Sequence, residues 1–290
     1  MQDRSDARFV TSSRGVQVAV HELGGDGPLL LVCHATGFCG RAYQPLAGEL
    51  ASSFRVVALD LRGHGDSTEP VDGDFRWDGM ADDVLAVLDA LGGGPALAFG
   101  HSLGGASLLL AELARPGSLR AAYLYEPIVW PAGFRHPGDV NPMSEGARRR
   151  RETFASRAEA LSRYAARPPL GLLRADALHA YVTHGFADLE DGTVRLKCRA
   201  ASEAATFEAE TAVTVDRFAN GLASTVTLAA GGRLPPGPQR GIGPGQLVDG
   251  LAAVLGQPPI VRYAHLGHFG PLQDPVSVAA DVTATLAPAG

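Results

Sequence analysis

The segment Gly100–Gly104 reads Gly-His-Ser-Leu-Gly and places a serine between two glycines in the pattern G-x-S-x-G. An apolar, strand-like run (residues 96–99) precedes it, and a helix-like pattern (103–114) follows it. In this context the serine lies on a sharp strand-to-helix turn, where glycines two positions away avoid steric clashes. The helix N-terminus adds backbone N–H groups and positive potential. The motif therefore predicts Ser102 as a nucleophile, and a chance glycine-rich turn is the alternative.

Four segments of the chain carry a resemblance to a known family. They are residues 31–38 (LVCHATGF), 59–67 (LDLRGHGDS), 100–105 (GHSLGG) and 267–269 (GHF). In order and spacing, over nearly the whole chain, they resemble the α/β-hydrolase superfamily, whose cap region is the part least constrained. The resemblance implies a serine nucleophile, a histidine base, a carboxylate and an oxyanion hole formed by two backbone amides.

A serine hydroxyl is a poor nucleophile until a base takes its proton, so a histidine must reach it. Of the nine histidines, His268 follows the last predicted strand, on the loop where the superfamily that the chain resembles keeps its base. His265 lies at the end of that strand and is interpreted as a packed or capping residue. The H-x-x-H pair it forms with His268 lacks the glutamate and helix of a metal site. His101 lies inside the turn and cannot turn back on the serine. His34 and His64 fit structural roles in their loops.

The carboxylate departs from the pattern of most relatives, which carry an aspartate just after the strand equivalent to 225–230. Here that loop, residues 231–236, reads Gly-Gly-Arg-Leu-Pro-Pro and contains no acid, and Asp249 is already on the next predicted helix. Glu126 ends the strand that follows the nucleophile strand. A minority of the superfamily, including some haloalkane dehalogenases, looks similar there. We therefore predict that Glu126 orients His268. In the alternative, Glu126 caps the sheet or pairs with an arginine, and Asp249 or a water takes the role.

Two backbone amides are expected to form the oxyanion hole. One belongs to Leu103, the residue after the nucleophile. The other comes from the loop at residues 34–37, where many relatives read His-Gly-x. Alignment from the preceding strand favours Thr36, while Ala35 stays open because an alanine replaces the usual glycine.

A substrate pocket beneath the cap is expected to include aromatic and imidazole side chains. The candidates are Trp130, Phe134 and Phe186, together with His34 and His101. For the three aromatic residues, packing of the cap on the core is an equally good interpretation.

Other short motifs indicate no cofactor. The segments Gly92–Gly94 and Gly241–Gly245 lack the spacing and context of nucleotide-binding loops. The run Arg148–Arg151 is interpreted as the opening of a cap helix with a solvated face, an anion clamp being the alternative. No metal site is expected.

Apolar runs and helical periodicity alternate in the first 127 residues. A hairpin is predicted over residues 8–23, and a helix over 77–91. Buried strands are predicted at 29–33, 56–59, 96–99 and 121–125. Strands that alternate with helices indicate a mostly parallel, twisted sheet flanked by helices. The fold class is therefore α/β, with the α/β-hydrolase fold implied by the resemblance.

The strand signal vanishes between about residue 131 and residue 220. Helical patterns at 144–166, 174–184 and 200–211 fill this stretch. Alternation then returns, with strands at 226–229 and 260–263 and helices at 245–255 and 275–286. We predict a core formed by residues 1–127 and 223–290, with a helical cap inserted at residues 128–222.

Composition excludes several classes of protein. Of the 290 residues, 46% are hydrophobic and 19% are charged, which is enough apolar material for a large core and excludes a mainly disordered chain. The net charge of −6 provides no positive field for nucleic acid or an anionic membrane. Three cysteines without a C-x-x-C motif, and an N-terminus without an apolar signal segment, favour a cytoplasmic protein with free thiols. The chain is expected to be a monomer or homodimer.

Together these features predict a cofactor-independent serine hydrolase that acts on a small ester or lactone. Two alternatives stay open. One is an acyltransferase, thioesterase or perhydrolase that uses the same acyl-enzyme. The other is a ligand-binding protein on this fold with slow or silent hydrolysis.

Overall fold

The computed structural model describes residues 7–137, 140–232 and 242–287. The strands of the main sheet alternate with helices along the chain. The strands are β1 (Arg8–Thr11), β2 (Gln17–Gly24), β3 (Leu29–Cys33), β4 (Arg55–Leu59), β5 (Ala96–His101), β6 (Leu119–Tyr125), β10 (Thr225–Gly231) and β11 (Ile260–Tyr263). The helices around it are α1 (Gln44–Leu50), α2 (Trp77–Ala90), α3 (Leu103–Ala114), α8 (Pro244–Val254), α9 (Gly270–Gln273) and α10 (Pro275–Leu286).

The eight strands lie in the order β1-β2-β4-β3-β5-β6-β10-β11. The hairpin β1–β2 is antiparallel and joins β4 antiparallel, whereas every other neighbouring pair is parallel. Strand β5, which leads into Ser102, is central, with β3 on one side and β6 on the other. The loops that leave the carboxyl ends of β3, β5 and β6 therefore meet at one edge of the sheet.

Both faces of the sheet are covered by apolar side chains, as the continuous hydrophobic strands predict. Alternation along β3 sends Leu31 to one face and Leu30 and Val32 to the other. Helices α2, α3 and α8 pack on the first face, and α1 and α10 pack on the second. All six residues of β5 are buried, so the strand that carries the serine is fixed in the middle of the core.

The segment between β6 and β10, called the insert, contains four α-helices, short 3-10 turns and a small sheet in its described part. The helices are α4 (Pro142–Arg148), α5 (Arg157–Ala165), α6 (Ala175–His184) and α7 (Ala200–Ala209). The strands are β7 (Thr153–Phe154), β8 (Phe186–Asp188) and β9 (Val194–Leu196), which pair antiparallel in the order β7-β9-β8. The insert is bound to the core through contacts such as Tyr181 Oη to the Gly37 carbonyl (3.1 Å) and Trp77 Nε1 to the Thr206 carbonyl (2.9 Å).

The α/β class and the mostly parallel twisted sheet are confirmed, and the predicted core elements differ from the observed ones only at their ends. The insert differs more. The single helical pattern at 144–166 is two helices separated by β7, and the three-stranded sheet was not predicted. Strands of two or three residues are too short for an alternating pattern to be recognised. Residues 233–241, which include most of the loop at 231–236 and the start of the segment Gly241–Gly245, lie outside the described residues.

Within the described ranges, no helix combines the length and the apolar character that crossing a membrane requires.

Candidate active site

Ser102 lies on the sharp turn between the end of β5 and the start of α3. Its backbone has φ 55° and ψ −117°, a conformation that non-glycine residues rarely adopt. The Ser102 N–H donates to the carbonyl of Tyr125 on β6 at 3.0 Å, which fixes the turn against the neighbouring strand. The residue is 6% exposed, at the carboxyl edge of the sheet.

The glycines of the motif allow backbone segments to approach closely. A Cβ on Gly100 would lie 2.6 Å from the Cα of Gly105, and a Cβ on Gly104 would lie 2.2 Å from the carbonyl oxygen of Cys33. Both neighbouring atoms belong to the backbone of packed elements, so a side chain at either glycine would displace a helix or a strand. The spacing of the motif therefore reflects the packing of α3 on β3 and β5 as well as the turn itself.

His268 and Glu126 form a hydrogen-bonded chain with Ser102. His268 Nε2 lies 3.1 Å from Ser102 Oγ, and His268 Nδ1 lies 2.6 Å from Glu126 Oε2. Because a carboxylate only accepts, Nδ1 carries the imidazole proton and Nε2 is left to accept from the serine hydroxyl. The side chain of His268 is 26% exposed and that of Glu126 is 3% exposed, so the imidazole faces the site and the carboxylate lies behind it.

Glu126 is held by β10 on its other side. Its backbone has φ 43°, and its N–H donates to the Ala229 carbonyl at 2.9 Å. Its second oxygen, Oε1, accepts from the Gly231 N–H at 2.9 Å. Both carboxylate oxygens are therefore occupied, and the direction of the carboxylate toward the imidazole is fixed.

The structure does not bring the alternative residues to the serine. Asp249 lies on α8, exposed to solvent, and pairs with Arg262. His265 is exposed, and its Nε2 lies 3.5 Å from Asp274 Oδ2. Among the described residues, neither side chain is hydrogen-bonded to His268.

Of the two predicted oxyanion amides, Thr36 lies on the loop after β3 and Leu103 directly follows Ser102. Ala35–Phe38 forms a turn closed by the Phe38 N–H to the Ala35 carbonyl (3.1 Å), with Gly37 at φ 80°. Leu103 is the first residue of α3, where an N–H has no acceptor within the helix. Among the described residues, neither the Thr36 N–H nor the Leu103 N–H has an acceptor. Both therefore stay candidates for the oxyanion hole.

The prediction that His34 lines a substrate pocket is contradicted. His34 is completely buried, its Nδ1–H donates to the Ala35 carbonyl at 2.8 Å, and its Nε2 accepts from the Leu61 N–H at 3.0 Å. Burial lowers the pKa of its imidazole to about 4. His34 therefore joins the loop at residues 34–37, called the oxyanion loop after the role predicted for its amide, to the loop after β4 as a neutral side chain with both nitrogens engaged.

The same holds for His101, the other imidazole predicted for the pocket. It is completely buried, and both ring nitrogens are engaged, with Tyr43 Oη at 2.6 Å and the His268 carbonyl at 2.7 Å. The sequence indicated correctly that His101 does not turn back on Ser102. Alternation along β5 sends its ring to the face that carries Tyr43 instead.

The aromatic candidates are found in packing. Phe186 is 1% exposed and packs against Phe154 and Tyr181 within the insert, so it does not line an open pocket. Trp130 and Phe134 stack with ring centroids 4.0 Å apart and pack against the core. These contacts fit the interpretation of cap-to-core packing.

The arginine run closes α4 rather than opening a helix, and its side chains are paired. Arg148 and Arg149 contact glutamates at the surface, and Arg151 pairs with Glu159. Arg150 turns inward, with Nη1 2.8 Å from Glu203 Oε2 and Nη2 bonded to Tyr181 Oη.

Sequence reasoning missed that the Arg150 cluster reaches the oxyanion loop. A Cβ on Gly37 would lie 2.5 Å from Glu203 Oε1 and 3.2 Å from Arg150 Nη1, and Tyr181 Oη donates to the Gly37 carbonyl. The only available signal was the arginine run itself, because nothing local in the sequence distinguishes Tyr181 or Glu203.

One group of side chains in the described ranges has the spacing of a metal site, namely His21, Asp60 and Asp66. Asp60 already accepts from the His21 ring (2.9 Å) and from the Gly40 and Asp66 N–H groups (2.6 and 2.8 Å). The Lys197 ammonium lies 2.6 Å from Asp66. The group is a saturated ion-pair network, so these residues do not fit a metal ion.

Comparisons with known proteins agree with this architecture. Residues 28–220 match the protein family described as alpha/beta hydrolase fold. A stretch of 97 residues is 34% identical to the 2-(acetamidomethylene)succinate hydrolase of Mesorhizobium japonicum and covers 33% of this chain and 34% of that protein. A stretch of 92 residues is 37% identical to protein phosphatase methylesterase 1 of Mus musculus and covers 30% of this chain and 24% of that protein. The matched stretches span about a third or less of these relatives.

Two solved structures are similar over nearly their whole length. The crystal structure of E-2-(acetamidomethylene)succinate hydrolase has a TM-score of 0.77 at 21% identity, covering 96% of this chain and 97% of that chain. The thioesterase domain from the curacin biosynthetic pathway has a TM-score of 0.74 at 21% identity, covering 96% and 98%. At this level of identity the similarity establishes the fold.

Proposed function

The chain belongs to the alpha/beta hydrolase fold family, and from this premise we propose that it is a cofactor-independent serine hydrolase that cleaves a carboxylic ester or a lactone. The observation that carries the proposal is the hydrogen-bonded chain from Ser102 through His268 to Glu126. Relatives named as a hydrolase and as a methylesterase support hydrolysis as the class of reaction.

In the proposed mechanism, Ser102 Oγ attacks the carbonyl carbon while its proton passes to His268 Nε2. The carbonyl π bond opens to a tetrahedral oxyanion. When that intermediate collapses, the bond to the leaving oxygen breaks and His268 returns the proton to it. Water then repeats the sequence on the acyl-enzyme, releasing the acid and restoring Ser102.

Two groups of contacts lower the barrier in this mechanism. The Thr36 and Leu103 amides donate to the oxyanion, and removing one such donor typically costs ~10²–10³ in turnover. Glu126 keeps the His268 proton on Nδ1 and stabilises the imidazolium that forms when Nε2 takes the serine proton. Burial of Glu126 behind the ring keeps water from competing for the carboxylate.

We further propose that the insert, with predicted boundaries 128–222, is a cap that selects the substrate. Its support is the contact between the insert and the oxyanion loop through Tyr181, Glu203 and Arg150 at Gly37. A substrate carbonyl at the Thr36 amide would lie one residue from this polar group.

Labelling with a fluorophosphonate tests the nucleophile. Wild type should be labelled at one residue, and Ser102→Ala should lose both labelling and esterase activity. Ser118→Ala is the matched control, because Ser118 is equally buried at 6% exposure but precedes β6 at the other end of α3. Labelling that persists in Ser102→Ala would refute the assignment.

A panel of esters, lactones and thioesters, with and without an alcohol acceptor, tests the reaction. Hydrolysis in water alone supports the proposal. Turnover that requires an alcohol, a thioester or peroxide would assign an acyltransferase, thioesterase or perhydrolase on the same acyl-enzyme. A stoichiometric burst without turnover would assign a ligand-binding protein.

A further inference from the structure

A buried chain of hydrogen bonds connects the oxyanion loop to the backbone of His268. The Ala35 N–H lies 3.1 Å from Tyr43 Oη, and Tyr43 Oη lies 2.6 Å from His101 Nδ1. On the other side of the ring, His101 Nε2 lies 2.7 Å from the carbonyl oxygen of His268. The side chains of Tyr43 and His101 are completely buried.

The chemistry of the end groups fixes the direction of every bond in this chain. A carbonyl only accepts, so His101 carries its proton on Nε2 and donates to the His268 carbonyl. His101 Nδ1 must then accept, and the Tyr43 hydroxyl donates to it. Since the Ala35 amide only donates, Tyr43 Oη accepts from it. Burial lowers the pKa of His101 well below its ordinary value, which agrees with a neutral ring used once as donor and once as acceptor.

A second bond holds the same loop from β6. The Tyr125 hydroxyl donates to the Gly267 carbonyl at 2.8 Å. Tyr125 directly precedes Glu126 in the chain, as His101 directly precedes Ser102. The two residues next to the nucleophile and the acid therefore hold the two consecutive carbonyls that end at His268.

We propose that Tyr43 and His101 are positioning residues, which set the separation between Ser102 Oγ and His268 Nε2 and keep the oxyanion loop in register with both. This inference rests on the proposed function, because it assigns the chain of bonds to the catalytic base. His101 directly precedes Ser102 in the chain and is hydrogen-bonded to the backbone of His268. A shift of the His101 ring therefore changes the 3.1 Å distance between Ser102 Oγ and His268 Nε2. Misplacement of reacting groups by about 1 Å can cost about a hundredfold in rate.

Two substitutions of His101 separate its two bonds. His101→Gln places an amide N–H near the position of Nε2 and keeps a donor for the His268 carbonyl. His101→Asn places an amide oxygen near the position of Nδ1, so it keeps the acceptor for Tyr43 and loses that donor. Tyr43→Phe removes the hydroxyl and both of its bonds. Tyr123→Phe is the matched control, because it removes a buried phenol whose 2.8 Å bond goes to Tyr263 Oη and which bonds neither the oxyanion loop nor the His268 carbonyl.

The measurement is kcat and KM on an aryl ester, with kcat expressed per serine titrated by fluorophosphonate, together with Tm. We expect His101→Asn to lower kcat about ten- to a hundredfold at unchanged KM, and His101→Gln to recover most of that loss. Tyr43→Phe should lower kcat about tenfold at unchanged KM. Tyr123→Phe should lower Tm and leave kcat unchanged.

Two results would overturn the inference. One is a wild-type value of kcat per titrated serine in both His101→Asn and Tyr43→Phe. The other is a loss of kcat in Tyr123→Phe equal to the loss in those two variants, because it would indicate a general effect of stability. If His101→Asn does not fold, the outcome for Tyr43→Phe decides alone. Failure of the proposed function itself is distinct, because Ser102→Ala would then keep esterase activity.

Discussion

Glu126 uses its two carboxylate oxygens for two different elements. Oε2 accepts from the His268 ring, and Oε1 accepts from the Gly231 N–H on β10. Two anchored oxygens leave the carboxylate no rotational freedom, so the imidazole is held in one orientation and one tautomer. The positive φ of 43° at Glu126 is a cost that the strand contacts on either side offset.

Replacing Glu126 by glutamine tests whether the charge or only the shape is needed. Glu126→Gln can keep the bond from Gly231, but its amide favours the wrong imidazole tautomer, so we expect kcat to fall about 10³–10⁴-fold. Asp249→Asn is the control and should keep kcat within about twofold, because surface changes away from the site have small effects. Steady-state kinetics on an aryl ester measures both. A dead Asp249→Asn beside an active Glu126→Gln would reverse the assignment of the acid.

The elbow between β5 and α3 depends on close contact between whole elements. Gly104 lies on the first turn of α3, against the last peptide of β3. A side chain there would force the helix away from the sheet and carry Ser102 with it. The position of the Ser102 hydroxyl therefore depends on the packing of the whole helix.

Gly104→Ala should therefore destabilise the fold and slow catalysis. The added Cβ would lie 2.2 Å from a backbone oxygen, and overpacking of this kind typically costs about 1–3 kcal/mol. Gly250→Ala on α8 is the matched control, since a Cβ there meets nothing within 4 Å, and it should stabilise by about 0.5–1 kcal/mol. Chemical denaturation measures both free energies of unfolding. Equal values for the two variants would contradict the packing argument.

The loop after β4 is fixed to α2 by a buried ion pair. Arg62 and Asp83 are both 0% exposed in their side chains, and the guanidinium binds both carboxylate oxygens at 3.0 and 2.8 Å. Asp83 also accepts from the Arg62 N–H at 3.0 Å. This pair holds the loop that carries His64, against which the His34 ring packs.

Removing one partner of this pair should cost more than removing both. Asp83→Ala leaves a buried guanidinium uncompensated, and we expect a loss of about 3–5 kcal/mol in the free energy of unfolding. The double variant Arg62→Met/Asp83→Leu should recover most of that loss, because it buries no charge. Urea denaturation of the two variants and wild type measures the difference. A double variant as unstable as Asp83→Ala would show that the charge is not the cause.

At the scale of the whole molecule, the insert carries a buried titratable group of its own. Glu210 is 5% exposed, and its Oε1 lies 2.8 Å from Asn141 Nδ2 and 3.1 Å from His136 Nε2. Burial raises the pKa of Glu210 to about 7. The folded chain therefore holds a proton that the unfolded chain releases near pH 4.5.

This difference makes stability fall as pH rises. Between pH 5 and pH 8 the folded state binds more protons than the unfolded state at Glu210, so wild type should lose about 2 kcal/mol of unfolding free energy relative to Glu210→Gln. Denaturation of both proteins at the two pH values measures the change. Thr211→Val is the control, because it changes no titratable group in the same turn. Its free energy of unfolding should differ from that of wild type by the same amount at pH 5 and at pH 8. If the free energies of unfolding of Glu210→Gln and wild type differ by the same amount at both pH values, the raised pKa of Glu210 is contradicted.

The features that depend on neighbours in the chain could be predicted from the sequence alone. Apolar runs and helical periodicity were sufficient for the core strands and for the long helices α2, α3, α8 and α10, and the glycines around Ser102 marked the turn, because both patterns record local backbone geometry. The short helices α1 and α9 were not predicted. The fold class followed, since the order of strands and helices leaves few ways to build a parallel sheet.

Tertiary structure decided what depends on distances between remote residues and on burial. It brought Glu126 rather than Asp249 to the imidazole, and it buried His34 and His101 with both nitrogens engaged. It also turned Arg150 toward the oxyanion loop. A local pattern cannot encode these outcomes, because each is set by which distant backbone or side chain fills the space beside the group.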